Sequence, residues 1–409
     1  MATARLSQLR TGRPARIALA VLVAVVCYLA VAHSLAQSVK RNDLIRARTL
    51  APWDARLTAA LAEQRLAELQ QPADEARTNQ LARQALRLDA TAVAAVATLG
   101  WQAQAHGRVD QARRWFDYAE ALSRRDLQTQ LWKIEDAVGR GDVPAALRHY
   151  DIALRTNNQA SDVLFPILAA AVTQPDVRHG LSATLLRRPP WGAYFINYLT
   201  FKGPDPRANM DLLVRLQGAG WPVPERARSS LVNALVKANA VEEAWGYYAQ
   251  VRPGANRRMS RDPVFRSRID PPSVLDWVVA DGDASGSIQH GEAGSFFDFA
   301  VSPSVGGPLL QQMQLLPPGG YRLEGRSSRI EQPGRSLPYW LLACRDGREL
   351  GRVVVPAARD QGVFRGQFVV PSDCPAQTLV LIARPSDDIS GVVGQIDQVQ
   401  LSPAGGAQR

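Results

Sequence analysis

The chain reads as a multidomain α and β protein, with an N-terminal transmembrane helix, an α-helical solenoid and a C-terminal antiparallel β-sandwich of jelly-roll type. Three observations predict this. Residues 17–36 (IALAVLVAVVCYLAVAHSLA) are apolar and carry no formal charge. From Trp53 to Val251 apolar residues recur at spacings of three and four, the period of helices. Beyond Pro272 the period changes to the alternation of short strands broken by Gly, Pro, Asp and Ser. At 409 residues the chain needs more than one core. The expected divisions are a basic cytoplasmic N-terminus (1–16), an anchor (17–36), a helical scaffold (37–252), a linker (253–272) and a sandwich (273–405).

The apolar run has about the 20 residues that a bilayer-spanning helix requires. Arg5, Arg10, Arg13 and Arg16 precede it directly, so the positive-inside tendency keeps the N-terminus cytoplasmic and exports the rest. Lys40, Arg41, Arg46 and Arg48 follow it and oppose that orientation. Ser34-Leu35-Ala36 also has the small residues of a signal-peptidase site, which leaves a cleaved signal peptide as the alternative. The length of the run favours the uncleaved anchor, and both readings place residues 40–409 outside the cytoplasm. Cys27 fits a small lipid-facing residue and His33 the helix end near the interface.

The formal net charge is +10, and it is uneven. Residues 274–409 hold 11 Arg against 14 Asp plus Glu, net −3, which leaves +13 for residues 1–273. The arginines are scattered among Ala and Leu without interleaved aromatics or a reading motif, so no nucleic-acid footprint is present.

Within the helical part a period of 34 is visible, with Gly107 and Gly141, Ala112 and Ala146, Phe116 and Tyr150, and Ala119 and Ala153 each 34 apart. These residues, with Leu99-Gly100, resemble the tetratricopeptide repeat. Two good repeats cover about 93–126 and 127–160, and LARQALRLDA at 81–90 resembles the end of a degenerate one, with Ala90 where Pro is usual. The resemblance implies close helix pairs at the alanines, aromatic plugs at Phe116 and Tyr150, tight turns at the glycines and a surface for protein partners. After Pro166 the register is lost. Between Ser161 and Pro206 irregular helices are expected, with Trp191 to Phe201 the one aromatic cluster placed to form a groove. A last hairpin is expected, with 231–238 packing on 242–251 through Ala244 and Tyr248.

The segment RPGANRRMSRDPVFRSRIDPP at 252–272 is polar, basic and bounded by prolines, as linkers are. About eight strands follow, which predicts a sandwich. The stretch 309–328 (LLQQMQLLPPGGYRLEGRSS) and the stretch 395–401 (QIDQVQL) resemble galactose-binding-like jelly rolls of the carbohydrate-binding-module kind. That resemblance implies Asp397 as a ligand of a structural calcium, with Asp276, Asp281 or Asp283 as partners; turn or strand-edge carboxylates are the alternative. For sugar contact the chemistry needs an aromatic face with planar polar groups beside it, and Tyr339, Trp340, Gln311 and Arg322 supply these types. For Trp340 the apolar strand YWLLAC favours core packing over sugar contact.

Cys344 and Cys374 are the two cysteines outside the apolar run, an even pair that in an oxidising compartment points to a disulfide, with two buried thiols as the alternative. The five histidines are dispersed and no HExxH, GxSxG or Walker pattern occurs. Asp387-Asp388 stands beside Ser and Gly and marks a turn rather than an acid/base pair. The expectation is a non-enzymatic, single-pass protein of the bacterial inner membrane without cofactor beyond that calcium. Its periplasmic bulk binds envelope proteins and, through the sandwich, polysaccharide; a purely protein–protein assembly factor is the rival.

Overall fold

The computed structural model describes residues 13–68, 72–281, 285–292, 294–386 and 391–405. Arg5, Arg10, Asp283, Asp387 and Asp388 lie outside these. The chain forms two compact units that meet between Ser161 and Asp162, not at residues 253–272.

The first unit is helical. It runs through α1 (Arg13–Val39), α2 (Leu44–Leu50), α3 (Ala55–Ala67), α4 (Pro72–Leu88), α5 (Val93–Ala105), α6 (Val109–Leu122), α7 (Leu127–Gly139) and α8 (Val143–Thr156). Over Ala15–Val39, α1 is long and apolar enough to cross a membrane. Its last turns are built into the fold: Ala36 is fully buried against Ala47, Ala51 and Leu57. Asp54 caps α3 by accepting the backbone N–H groups of Arg56 and Leu57, and it also accepts from Gln37 Nε2 at 3.2 Å. The 34-residue columns fall on equivalent places of α5/α6 and α7/α8. Gly107 and Gly141 both sit in the left-handed region (φ +71° and +69°) at the turns between paired helices. Ala112, Phe116, Ala119, Ala146, Tyr150 and Ala153 are buried. Phe116 stacks on Trp132 at 4.5 Å and meets Trp101 edge-on at 5.6 Å.

The second unit begins within α9 (Ala160–Ala171) and holds α10 (Pro175–Leu186), α11 (Gly192–Lys202), α12 (Pro206–Gly218), α13 (Glu225–Lys237) and α14 (Val241–Val251), then the sandwich. The segment between Ser161 and Pro206 is thus more regular than its sequence suggests. Pro166 lies inside α9. The α13/α14 hairpin buries Ala244 and Tyr248.

The strands are β1 (Val278–Val279), β2 (Ser285–Gly291), β3 (Gly294–Val301), β4 (Gly307–Gln314), β5 (Gly319–Ser328), β6 (Tyr339–Cys344), β7 (Glu349–Val354), β8 (Gly362–Val370), β9 (Gln377–Ala383) and β10 (Val392–Pro403). They form two antiparallel sheets, β1-β4-β9-β6-β7 and β2-β3-β10-β5-β8. Between the sheets lies one core that includes Phe297, Phe299, Trp340, Phe364 and Phe368. Cys344 and Cys374 are joined by a disulfide. The strands not foreseen are β1, only two residues long, and β2, an edge strand whose residues are mostly exposed, so neither carries an alternating apolar signal.

The segment 253–272, expected as a linker, is corrected to a structural part of the sandwich. Phe265 is fully buried in the sandwich core beside Trp277. Ser260 donates its backbone N–H to Leu401 O at 3.0 Å, and Val399 donates to Pro263 O at 2.9 Å. Ser260 and Arg261 of this segment are buried and make hydrogen bonds inside the fold, while Arg258, Arg266 and Arg268 face solvent.

Candidate functional site

The four candidate sugar-contact residues do not converge. Trp340 is fully buried between the sheets and is corrected to core, because strand alternation turns it inward while Tyr339 and Leu341 turn outward. Tyr339 stands on the outer face of the β1-β4-β9-β6-β7 sheet. Gln311 shares that face, since it pairs with Val380, which in turn pairs with Leu341. The Tyr339 ring is covered by two guanidinium groups, Arg352 at 5.0 Å and Arg384 at 4.7 Å from its centroid. Tyr339, Leu341 and Val380 pack together into a small apolar strip under them. Arg322 lies on the outer face of the other sheet, exposed and 3.4 Å from Glu324.

That second face, on β2-β3-β10-β5-β8, carries a row of planar polar groups. On β3, Phe297 and Phe299 enter the core, so Phe296 and Asp298 point out. Asp298 pairs in register with Gln395 of β10, and Gln395 with Ser328 of β5. Gln395 Nε2 donates to Asp298 Oδ1 at 2.9 Å. Ser328 Oγ lies 3.4 Å from Gln395 Oε1 and 3.3 Å from Asp397 Oδ1. Asp397 occupies the register shift between Ile396 and Gln398, a bulge that turns its carboxylate toward Ser328. Burial raises the Asp397 pKa above the ordinary carboxylate value, against the lowering effect of the Ser328 hydrogen bond and nearby Arg326. A carboxylate, an amide, a hydroxyl and a second carboxylate thus run side by side across three strands, with half-buried Phe296 on the same face. Sequence reasoning singled out Asp397 alone of this row. The others were readable as the outward positions of FFDFAV and GQIDQV once their strands were taken as core on one face.

Of the calcium partners expected for Asp397, Asp283 lies outside the described residues. Asp276 is buried elsewhere, accepting from Tyr248 Oη at 2.8 Å on one oxygen and from the Ser273 N–H and Oγ at 2.9 and 2.6 Å on the other. Asp281 is exposed. Among the described residues no group of three or more His, Cys, Asp and Glu side chains could hold a metal ion. The carboxylates read as calcium ligands are corrected accordingly: Asp276 is engaged by hydrogen-bond donors, and Asp397 belongs to the row above.

Asp276 belongs to a buried polar knot beneath α14. Arg261 donates Nε to Leu275 O at 2.8 Å and Nη1 to Gln314 Oε1 at 3.1 Å, and its Nη2 reaches Met313 O. Its guanidinium lies 5.8 Å from the Trp245 ring and 5.9 Å from the Tyr248 ring. Burial pulls the Arg261 pKa down to about 10, while Tyr248 and Asp276 act in the opposite sense. Next to this knot a cleft of about 450 Å³ is lined by Arg252, Asn256, Trp277, Gln312 and Gln400. Its polar groups are largely committed to holding the segment 253–272 in place.

In the second unit α9 and α11 pack through Phe165 against Phe195 and Tyr198, yet Val163, Ile167, Tyr194 and Phe201 remain 48%, 54%, 73% and 74% exposed. Trp191 and Phe195 of the expected groove are core. In the first unit His149 is buried against Gln130 Oε1 at 2.9 Å with Glu120 at 3.7 Å. Burial lowers its pKa, in opposition to Glu120.

No protein-family model matches the chain, and no curated protein matches it. Solved structures similar to part of it include a family 4 carbohydrate-binding module, with 13% identity and a TM-score of 0.27 over 36% of this chain and 98% of that one. The CBM22-1 xylan-binding domain of Paenibacillus barcinonensis Xyn10C is similar at 12% identity and a TM-score of 0.24, over 32% of this chain and 87% of that one. The enzymatically active domain of bacteriophage CBA120 tailspike protein 4 is similar at 10% identity and a TM-score of 0.24; this chain spans 20% of its length.

Proposed function

We propose that the chain is a single-span adaptor of the bacterial inner membrane whose periplasmic bulk acts by binding, without catalysis, in polysaccharide or envelope assembly. On this reading the helices, including the tetratricopeptide-like pairs α5/α6 and α7/α8, hold a protein partner, and the sandwich faces glycan. The observation that carries the glycan part is the row Asp298, Gln395, Ser328 and Asp397 across three adjacent strands. Carboxylates and amides on a rigid sheet match the paired hydroxyls of a sugar ring, and the edge of Phe296 offers an apolar surface beside them. The membrane part is supported by Ala15–Val39 and by the complete burial of Ala36. Cleavage after Ala36 would cut a helix and remove side chains that α2 and α3 pack against, which favours the retained anchor over a signal peptide.

The test is binding of the detergent-solubilised full chain to envelope polysaccharides. Saturable binding that weakens about tenfold in Asp298→Ala or Gln395→Ala, with the thermal transition retained, is the expected result, since a lost hydrogen bond to a charged group is worth about 1.5–3 kcal/mol. Absence of saturable binding to all of them removes the glycan part. The second reading, a purely protein–protein assembly factor with a structural sandwich, is favoured by the exposed Val163, Ile167, Tyr194 and Phe201. It predicts that Tyr194→Arg and Phe201→Arg abolish co-purification of an envelope protein while Asp298→Ala does not.

A further inference from the structure

The cations that follow the apolar helix oppose its expected orientation, and their placement gives them a role. We propose that the cleft where α1 joins α2 and α3 binds the phosphate of an anionic phospholipid headgroup. This inference rests on α1 being a membrane span. The cleft, about 770 Å³, is lined by Lys40, Arg41 and Arg56 together with His33, Gln37 and Trp53. The run from Ile17 to Leu35, exposed except at Ala32, is long enough, at about 1.5 Å per residue, to cross the hydrocarbon layer. Lys40 and Arg41 come about one turn after it, at headgroup depth.

The charge in the cleft is available to a ligand. Lys40, Arg41 and Arg56 are exposed, and Arg41 and Arg56 have no ion-pair partner within 4 Å among the described residues. Two carboxylates, Asp54 and Asp89, also line it, so three cations leave the cleft a net charge of +1, and Asp89 lies within electrostatic reach of Arg56. Asp54 accepts two backbone N–H groups and Gln37, and lies 3.6 Å from His33. Asp89 accepts the backbone N–H and the hydroxyl of Thr91 at 2.8 and 2.7 Å. The surroundings suit an interface: Trp53, Leu88 and Ile45 are 42%, 48% and 55% exposed, and an indole with one apolar and one polar edge is at home between acyl chains and headgroups. Because Ala36, Ala47, Ala51 and Leu57 lock α1 to α2 and α3, the three cations are held at a fixed height above the apolar run. A lipid bound there would fasten the first helical pair to the membrane surface.

The experiment uses the full chain reconstituted in nanodiscs of zwitterionic phosphatidylcholine with an equal part of phosphatidylglycerol, followed by native mass spectrometry of lipids retained on detergent release. The expected result is preferential retention of phosphatidylglycerol. Retention should fall about tenfold or more in the double variant Arg41→Glu/Arg56→Glu, each cation near the surface being worth about fivefold. Arg46→Glu, an exposed cation outside the cleft, should leave it unchanged. Equal retention of both lipids, or equal loss in Arg46→Glu, overturns the proposal. Competition by millimolar glycerol phosphate as effective as the intact lipid also overturns it, because the phosphate would then be taken from solution. Extraction of the chain from membranes by alkaline carbonate would instead defeat the span on which the proposal rests, so the two failures are told apart.

Discussion

Asp397 shows how a single position in a strand acquires chemistry. The bulge at Ile396/Gln398 half-buries its carboxyl beside Ser328, and that burial raises its pKa. In the unfolded chain the group titrates near 3.9, so between that value and its raised folded pKa the folded state holds the extra proton. Stability is therefore greatest on the acid side of this window and falls as pH rises through it. Asp397→Asn keeps an acceptor for Ser328 and removes the charge. Its melting temperature should exceed that of the parent at pH 7, with the difference shrinking toward pH 4, as measured by calorimetry; a constant difference across that range would exclude ionisation as the cause. Trp340 makes the contrasting case. Fully buried between the sheets, it should cost about 3–5 kcal/mol on replacement by Ala, seen as a lowered denaturant midpoint, so loss of ligand binding in that variant would report unfolding rather than a lost contact.

Helix pairing depends on where small residues allow close approach. A Cβ built at Gly100 would lie 2.7 Å from Phe116, whose ring is clamped between Trp101 and Trp132. Gly100→Ala should therefore destabilise the first unit by about 1–3 kcal/mol through overpacking, whereas Ala at Gly246, which has open space around it, should be neutral or slightly stabilising through helix propensity. Urea denaturation of the two variants checks the pair. Strand identity follows a similar logic: β3 to β10 announce themselves because one face of each is apolar, and β2 does not because most of its residues are exposed.

For the second unit as a body, the decisive segment is 253–272. Phe265 fills the sandwich core, and residues 260 and 263 extend the hydrogen bonding along β10. A fragment starting at residue 253 should fold cooperatively, while one starting at 273 should melt at a lower temperature and expose apolar surface to a hydrophobic dye. Equal transitions for both fragments would return the segment to the role of tether. Reduction of Cys344–Cys374, which closes a separation of 30 residues, should lower the stability of either fragment by about 3–4 kcal/mol.

The amino-acid order was sufficient for the layout: an apolar span, helices with a 34-residue repeat, and strands with alternating polarity. These are local patterns, and periodicity reports them because each element buries one face. The repeat columns were legible to the residue, since Gly107 and Gly141 need left-handed backbone and the alanines need closeness. What folding alone decided was which separate elements meet. Tyr339, Trp340 and Arg322 are near in sequence or alike in chemistry, yet strand alternation and sheet membership put them on one outer face, in the core and on the opposite outer face. The row of Asp298, Gln395, Ser328 and Asp397 joins positions up to 99 apart, from 298 to 397, through strand register, and the basic, proline-rich 253–272 joins the sandwich through Phe265 in its core and Arg261 among buried carbonyl and amide partners. Register and buried pairing are long-range properties, fixed by the packing of whole elements, and no window of sequence contains them.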